Sequence, residues 1–242
     1  MQLVDRTLNA LVVLSRYPEG ISVNELSGIM GLPASTTHRV LNSLKENNFV
    51  IQDEKSKMYR LSYKVLTLTD NMNRNNMLVA HAHQKMMDLS EKIRRTIVLA
   101  VREGDKMVYA DVINYGNEVF VLNKGHSVPV FRSSTGRAAA AFLPENELEN
   151  VIRATDFSTG NRFVNDEESF RRVLEQVRAC GYAVIDEELQ SGVQGVSVPL
   201  PDGEGRVIAA LAFATYKKER APQQEDIDEL KKCAEQITAS LS

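Results

Sequence analysis

Residues 22–61 read SVNELSGIMGLPASTTHRVLNSLKENNFVIQDEKSKMYRL, and this stretch decides the fold of the first part of the chain. Ser22 and Glu25 have the spacing of a capping box, in which each side chain receives the other's amide. The short helix they open carries Leu26, Ile29 and Met30 and stops at Gly31. Pro33 is expected in the first turn of the next helix. On that helix Thr37, Val40, Leu41 and Leu44 recur at i, i+3, i+4 and i+7 and predict an inward stripe. Ser35, Arg39, Asn42 and Glu46 fall on the opposite stripe. Asn48 can adopt the left-handed conformation that ends a helix. Residues 49–51 and 58–61 are strand-like around the charged turn 53–57, which predicts a hairpin.

Upstream, residues 5–16 predict a helix with Val4, Leu8, Leu11, Val12 and Ser15 on one face, closed by Pro18 and Gly20. Three short helices, a tight second turn and a hairpin are the parts of a winged helix-turn-helix, whose third helix enters the DNA major groove. The start of that helix offers Ser35, Thr36, Thr37 and His38, short or medium polar side chains suited to base edges and phosphate. Arg39, one turn in, has the fork that reads guanine. Asn42 shares its stripe, and Lys45, Lys55, Lys57 and Arg60 are candidates for phosphate contacts. Blander readings stand beside these: Thr37 as core beside Val40 and Leu41, the Ser/Thr cluster as capping, and the lysine-tipped hairpin as a solvated turn.

Downstream, Leu61, Val65, Leu68 and Met72 line up on a predicted further helix, either as a dimer seam or as packing within the subunit. The run NMNRNN at 71–76 is the best linker candidate. A helix over 77–93 follows, then strands at 96–102 and 106–113 flanking the turn Glu103-Gly104-Asp105. Residues 119–123 and 128–132 predict further strands, and 136–143, with Ala138 to Ala141 in a row, a helix. Asn165 and Glu168 resemble a capping start, with Gly181 closing that helix. Strands at 182–186, 193–200 and 206–215 precede a final amphipathic helix opened by Pro222, with Ile227, Leu230, Ala234 and Ile237 inward. Strands joined to each other and flanked by helices predict an α+β domain with a largely antiparallel sheet.

The chain has 242 residues, 43% hydrophobic and 25% charged, enough for a sizeable core without a metal or disulfide staple. Its net charge of −3 is uneven: residues 1–64 hold eight Lys/Arg and six Asp/Glu, residues 78–242 twenty and twenty-five. A slightly basic module is thus joined to an acidic one, and the case for DNA rests on where the charges fall. Cys180 and Cys233 form no CxxC pair, and no signal peptide or membrane span is apparent, so a cytoplasmic protein is expected. Enzyme signatures are missing: there is no P-loop or nucleophile elbow, and Gly203-Glu204-Gly205 lacks the third glycine of a dinucleotide fingerprint. His81 and His83 diverge on a helix, His126 is isolated, and Glu187-Glu188 reads as a solvated pair of acids at a strand end. Neither a catalytic group, a metal nor a cofactor is expected.

The blocks ELSGIMGLPASTTHRVLNSLKENNFV, MYRLSYKVLTL, PVFRSSTGRAAAAFLP and CGYAVIDEELQSGVQGVSVPLPDGEGRVIAALAFA resemble, in this order, the IclR family of bacterial transcriptional regulators. The resemblance implies a winged helix-turn-helix over 1–62, a linker helix over 63–77 and a GAF-like antiparallel-sheet effector domain over 78–242. It also implies homodimers, often paired into tetramers, on a double-stranded DNA operator, and a small organic acid as effector. The effector would lie on the loop Ser133, Ser134, Thr135 and Gly136, with Arg132 or Arg137 adding charge. Ile185, Asp186, Gly195, Ala212 and Ala214 would form the opposing wall. Ala34 stands where the family commonly has a basic residue, and Asn48 where it has glycine. Apolar or absent side chains at 185, 195, 212 and 214 replace polar ones of members that bind small keto acids, which implies a larger or more apolar acid, such as an aromatic one. A rival expectation keeps the winged helix and makes the C-terminal domain a protein–protein module.

Overall fold

A computed structural model describes residues 3–68, 77–116, 122–161, 163–218 and 220–241. The chain separates into two compact units, Met1–Asn75 and Asn76–Ser242. The linker candidate at 71–76, Met72 and most of the expected strand at 119–123 lie outside the described residues.

In the first unit α1 (Leu3–Leu14), α2 (Val23–Met30) and α3 (Ala34–Glu46) precede a hairpin of β1 (Val50–Gln52) and β2 (Tyr59–Leu61). The Ser22–Glu25 capping box forms as its spacing predicts, and Gly31 closes α2 in the left-handed conformation. Pro33 is the residue before α3 rather than in its first turn. Asn48 takes φ 60°, and the Phe49 amide then reaches back to the Leu44 carbonyl, so the chain turns from α3 straight into β1. Leu26, Val40, Leu41 and Leu44 meet Ala10, Val13 and Leu14 of α1 in one core, closed by Val50 and Tyr59. Ile21 and Tyr59 exchange two backbone hydrogen bonds of 2.9 Å, which clamp the α1–α2 connection to the hairpin.

Two sequence expectations fail here. On α1 the face that enters the core is Ala10, Val13 and Leu14; Val4, Leu8 and Val12 are exposed, and Leu11 is half-buried. Ala10, Val13 and Leu14 are the side that meets Leu26, Val40 and Leu41 of α2 and α3, so that side is covered within the unit and the Val4-Leu8-Val12 side is not. Leu61 belongs to β2 and Val65 to a 3-10 turn (Tyr63–Val65), so no continuous helix runs from Leu61, although 66–68 are helical.

The second unit is a six-stranded sheet in the order β5-β4-β3-β8-β7-β6, antiparallel at every pairing. Its strands are β3 (Thr96–Glu103), β4 (Lys106–Ile113), β5 (Ser127–Pro129), β6 (Ala183–Asp186), β7 (Val193–Pro201) and β8 (Val207–Tyr216). Its helices are α4 (Met77–Ile93), α5 (Ser134–Ala140), α6 (Glu145–Ala154), α7 (Glu167–Cys180) and α8 (Gln224–Ala239). One face carries large side chains, Ile97, Leu99, Val196, Val198, Leu211 and Phe213, and packs on α4 and α8. The other face carries small ones at its centre, Ala100, Ala210 and Ala212, beside Val98, Met107 and Tyr109, and packs on α5, α6 and α7. Alternation along each strand delivers this division, because successive side chains point to opposite faces.

Three further boundaries differ from expectation. The segment after β5 tightens into a 3-10 turn (Val130–Arg132) instead of remaining a strand. The cap of α7 is Asp166 with Ser169, one residue beyond the expected pair. Helix α6, led by Pro144, has no counterpart among the expectations.

Arg95, on β3's approach, is 2% exposed and donates to Asp226 Oδ2 (2.8 Å) and to the carbonyls of Arg220 and Ala221, which fastens the start of α8 to the sheet. Burial pushes the Asp226 carboxyl up, but hydrogen bonds from Arg220, the Gln223 amide and Arg95 outweigh it and hold the carboxyl below its ordinary range. A carboxylate depressed in the folded state adds stability that is complete above its unfolded value and lost as pH falls through the folded one. Acid denaturation should therefore show the Asp226→Asn variant less pH-dependent than wild type below the ordinary aspartate range, with the gap between them widest at neutral pH. Parallel acid-titration curves for the two proteins would contradict this.

Candidate nucleic-acid face and ligand cavity

The helix-turn-helix angle is set by a buried hydroxyl pair. Ser27 Oγ on α2 donates to Thr37 Oγ1 on α3 (3.1 Å), and Thr37 in turn donates to the Pro33 carbonyl (3.3 Å). Thr37 has no exposed surface, so it is withdrawn from the candidate DNA face and belongs to the core. Ser35, His38, Arg39, Asn42 and Lys45 are exposed along α3, and Thr36 is half-buried. Lys45 Nζ donates to Gln52 Oε1 (3.2 Å), which links α3 to β1. Lys55, Lys57 and Arg60 are exposed on the hairpin. Asp53 shapes its tip by accepting from the amides of Lys55 (3.0 Å) and Ser56 (2.7 Å), and these bonds, with the Ser56 hydroxyl, lower the Asp53 carboxyl's pKa. Lys57 follows at φ 60°. The unit thus presents one helix face and a hairpin whose Lys55, Lys57 and Arg60 are exposed, a shape that suits a groove and its flanking phosphates.

In the second unit a cavity of about 170 Å³ lies between the start of α5 and the small-residue face of the sheet. Ser133, Ser134, Thr135, Ile185, Gly195, Ala212 and Ala214 line it, as the sequence reading expected. Ser133 caps α5: its hydroxyl accepts from the Gly136 amide (3.0 Å) and donates to the Pro129 carbonyl (2.9 Å). Ser197 Oγ donates to Ser134 Oγ (2.7 Å), which leaves Ser134 its own proton for a ligand. A side chain at Gly195 would press on Ser134 Oγ and Ile185, with a Cβ 3.0 and 3.2 Å away, so the glycine keeps this corner open.

Four expectations are corrected. Gly136 is not a lining residue: a Cβ there would stand 2.1 Å from the Val130 carbonyl oxygen, so the glycine lets α5 seat against the Val130–Arg132 turn. Asp186 is outside the cavity, engaged by Lys217 Nζ (3.1 Å) and Gln194 Nε2 (3.0 Å). Arg137 is buried but forked onto Glu188, at 2.9 and 2.5 Å, and Arg132 donates to the Glu188 carbonyl, so neither charge faces the ligand space. Glu188 is correspondingly buried, not solvated, and Asn161 Nδ2 also donates to it (2.8 Å).

Sequence reasoning missed nine lining residues, among them Val98, Tyr109, Leu122, His126, Leu189 and Gln190. Burial raises the Tyr109 phenol to about 12, so it stays protonated and able to donate. His126 tilts against its ring, 5.5 Å between centroids. The signal for Leu189 and Gln190 was Glu188 itself, because its ion pair pins the segment after β6 over the cavity. The Arg137→Met variant should lose about 3–5 kcal/mol in denaturant unfolding by leaving Glu188 buried without its cation. Adding Glu188→Leu should return most of that loss; a double variant as unstable as the single one would remove the ion pair as the cause.

The chain matches two family profiles, "IclR helix-turn-helix domain" over residues 3–54 and "Bacterial transcriptional regulator IclR C-terminal" over residues 71–239. The Escherichia coli HTH-type transcriptional regulator XynR is 28% identical over 217 residues, covering 89% of this chain and 86% of that protein. The crystal structure of the Thermotoga maritima IclR superposes with a TM-score of 0.81 at 25% identity, over 98% of each chain. An IclR homologue from Microbacterium hydrocarbonoxydans, complexed with 4-hydroxybenzoate, shares the fold with a TM-score of 0.81 at 22% identity over 99% of each chain. With a helix-turn-helix unit, an antiparallel α+β unit and both family profiles matched in order, the chain belongs to the IclR family of DNA-binding transcriptional regulators.

Proposed function

We propose that this regulator binds its operator through α3 and the hairpin tip, and that a small organic acid in the second unit's cavity modulates the affinity. The cavity carries the reading. A cavity of about 150 Å³ lined by apolar side chains admits benzene in another protein, and this one, at about 170 Å³, has room for one ring and a carboxylate. Val98, Ile185, Ala212 and Ala214 suit the ring; the hydroxyls of Ser134 and Tyr109 suit the acid, and Thr135 Oγ1, which donates to Ser133 Oγ (3.3 Å), can accept from a ring hydroxyl. The 4-hydroxybenzoate of the Microbacterium homologue is a ligand of this kind. Effector and operator then act on each other through linkage, with a coupling of about 1–3 kcal/mol. The working division is a DNA-binding domain at 1–62, a linker at 63–77 and an effector domain at 78–242.

A homodimer, paired further into a tetramer, is part of the proposal. Support comes from Leu3, Val4, Leu8 and Val12, an exposed apolar stripe on α1, and from exposed Tyr63, Leu66 and Leu68 in the same unit. Leu8→Glu should weaken self-association by an order of magnitude or more in sedimentation equilibrium; an unchanged association constant would move the seam elsewhere. Among the described residues, no helix is long and apolar enough to cross a membrane.

Thermal shift of the full chain against a panel of carboxylic acids tests the cavity. Benzoate and 4-hydroxybenzoate should raise the melting temperature and pyruvate should not; the reverse pattern would sink the assignment. Thr135→Val should preserve DNA affinity and blunt the response to acid. A full response in that variant would take the loop out of the site, and retention of a partner protein with no acid response would favour a protein–protein module. On the operator, Arg39→Ala should cost about 1–3 kcal/mol and relax specificity at one position. Lys57→Ala should weaken all duplexes alike and flatten the salt dependence. Equal losses on operator and random DNA for both variants would refute this division of roles.

A further inference from the structure

The strand that lines the cavity also carries a charge to the other side of the sheet. Tyr109 pairs with Ala100 and Asp111 with Leu99, so Ala110 is an extra residue, a bulge in β4. A bulge of one residue reverses the facing of everything after it. Tyr109, before it, points to the cavity with the small-residue face. Asp111, after it, points with Leu99 toward α4 on the large-residue face. There the carboxylate has no exposed surface.

Two side chains from different elements hold this buried carboxylate. His83 Nδ1 on α4 lies 2.6 Å from Asp111 Oδ2. Lys124 Nζ lies 2.5 Å from Asp111 Oδ1, which also accepts from the Val112 amide (2.9 Å). Lys124 is in the segment 122–126, whose neighbours Leu122 and His126 line the cavity. That segment is laced to β4: the Gly125 amide donates to the Tyr109 carbonyl (2.8 Å), the Tyr109 amide to the His126 carbonyl (2.9 Å), and Asn114 and Leu122 exchange two hydrogen bonds. Helix α4 is the first of its unit, entered by the chain arriving from the DNA-binding unit.

We propose that Asp111 is a relay between the cavity and α4: occupancy of the cavity moves segment 122–126, changes the hold of Lys124 on Asp111, and so changes the hold of Asp111 on His83 and α4. The physical basis is the cost of an unpaired buried charge. A carboxylate taken out of water depends on the few groups that pair with it, so loosening one strengthens its demand on the other. His83 and Lys124 are thereby coupled through an ion that both touch, and a ligand that touches Leu122 and His126 acts on one end of the pair. A two-partner charge with partners on separate elements is the kind of discrete contact that carries coupling. The relay rests on the cavity reading above for its input, but the coupling of segment 122–126 to α4 is a property of the ligand-free chain.

Hydrogen exchange of the full chain, resolved by peptide, tests the two separately. His83 and Lys124 do not line the cavity, and Lys124→Met and His83→Gln each remove one partner. Without ligand, Lys124→Met should change amide exchange across 77–93 several-fold, and His83→Gln should change it across 122–126, with α7 unchanged as the internal reference. Asp111→Asn combined with either substitution should abolish this cross-talk. Effects confined to the mutated segment, or an equal change in α7 that marks global loosening, would overturn the relay. Benzoate is then added to wild type and Lys124→Met. Protection of 122–126 and 77–93 together in wild type, and of 122–126 alone in the variant, is the expected result. Cross-talk present with no benzoate protection at β3, β7 and β8 would overturn the cavity reading and leave the relay standing. Protection of 77–93 by benzoate in both proteins would overturn the relay and leave the cavity reading intact.

Discussion

The close approach of α5 to the small-residue face of the sheet is the constraint on which the second unit depends. Ala138, Ala139 and Ala140 are buried against strands whose facing positions include Ala100, Ala210 and Ala212. Small side chains on both surfaces let the backbones come near, and Gly136 removes the last obstacle where α5 meets the Val130–Arg132 turn. The opposite face packs larger side chains, Ile97, Leu99, Val196, Leu211 and Phe213, against α4 and α8. The cavity opens at the start of α5, where Ala214 and Gly195 are smaller than the space they face and no helix fills the remainder. A ligand of the proposed kind would complete packing that the chain itself leaves incomplete.

Buried charges do a different task, which is to hold irregular segments in place. Arg137 and Glu188 pin the segment after β6 over the cavity. Arg95 and Asp226 pin the chain entering α8. Asp111 holds segment 122–126 and α4 from one carboxylate. Such pairs add little net stability over an apolar substitute, because desolvation offsets their attraction. Their geometry is directional, however, and an apolar contact would leave these segments free to slide. In the first unit the neutral Ser27–Thr37 pair does the same for the angle between α2 and α3.

Much of the fold was legible because local rules set it. The capping box at Ser22, the left-handed Asn48, the hairpin turn at Gly104 and the bounds of β4 and α4 all follow from short-range chemistry. The misses share one cause. The Val4-Leu8-Val12 stripe is periodic and apolar, yet the core takes the side bearing Ala10, Val13 and Leu14, because that side meets Leu26, Val40 and Leu41 of α2 and α3. Arg132 and Arg137 next to a Ser-Ser-Thr loop suggested a charged site, yet a carboxylate 51 residues beyond Arg137 claims its guanidinium. Tyr109 and His126, each unremarkable in its own stretch of sequence, meet at 5.5 Å only when β4 and the segment before β5 are paired.

The sequence by itself determined most of the elements, though not α6 or the 3-10 turns, the order of two unlike units, the family, and seven of the residues that line the cavity. Those follow from capping, periodicity and turn chemistry, which act over a few residues, and from motif blocks read in order. Tertiary structure alone decided which apolar stripe is covered, that Thr37 is core, that Gly136 serves packing and that Glu188 is buried. It also decided that the bulge at Ala110 turns Asp111 toward α4 while Tyr109 faces the cavity. Facing in a sheet depends on the register with neighbouring strands, and the pairing of a buried charge depends on which distant segment reaches it. Both are set by packing between parts of the chain that lie far apart in sequence.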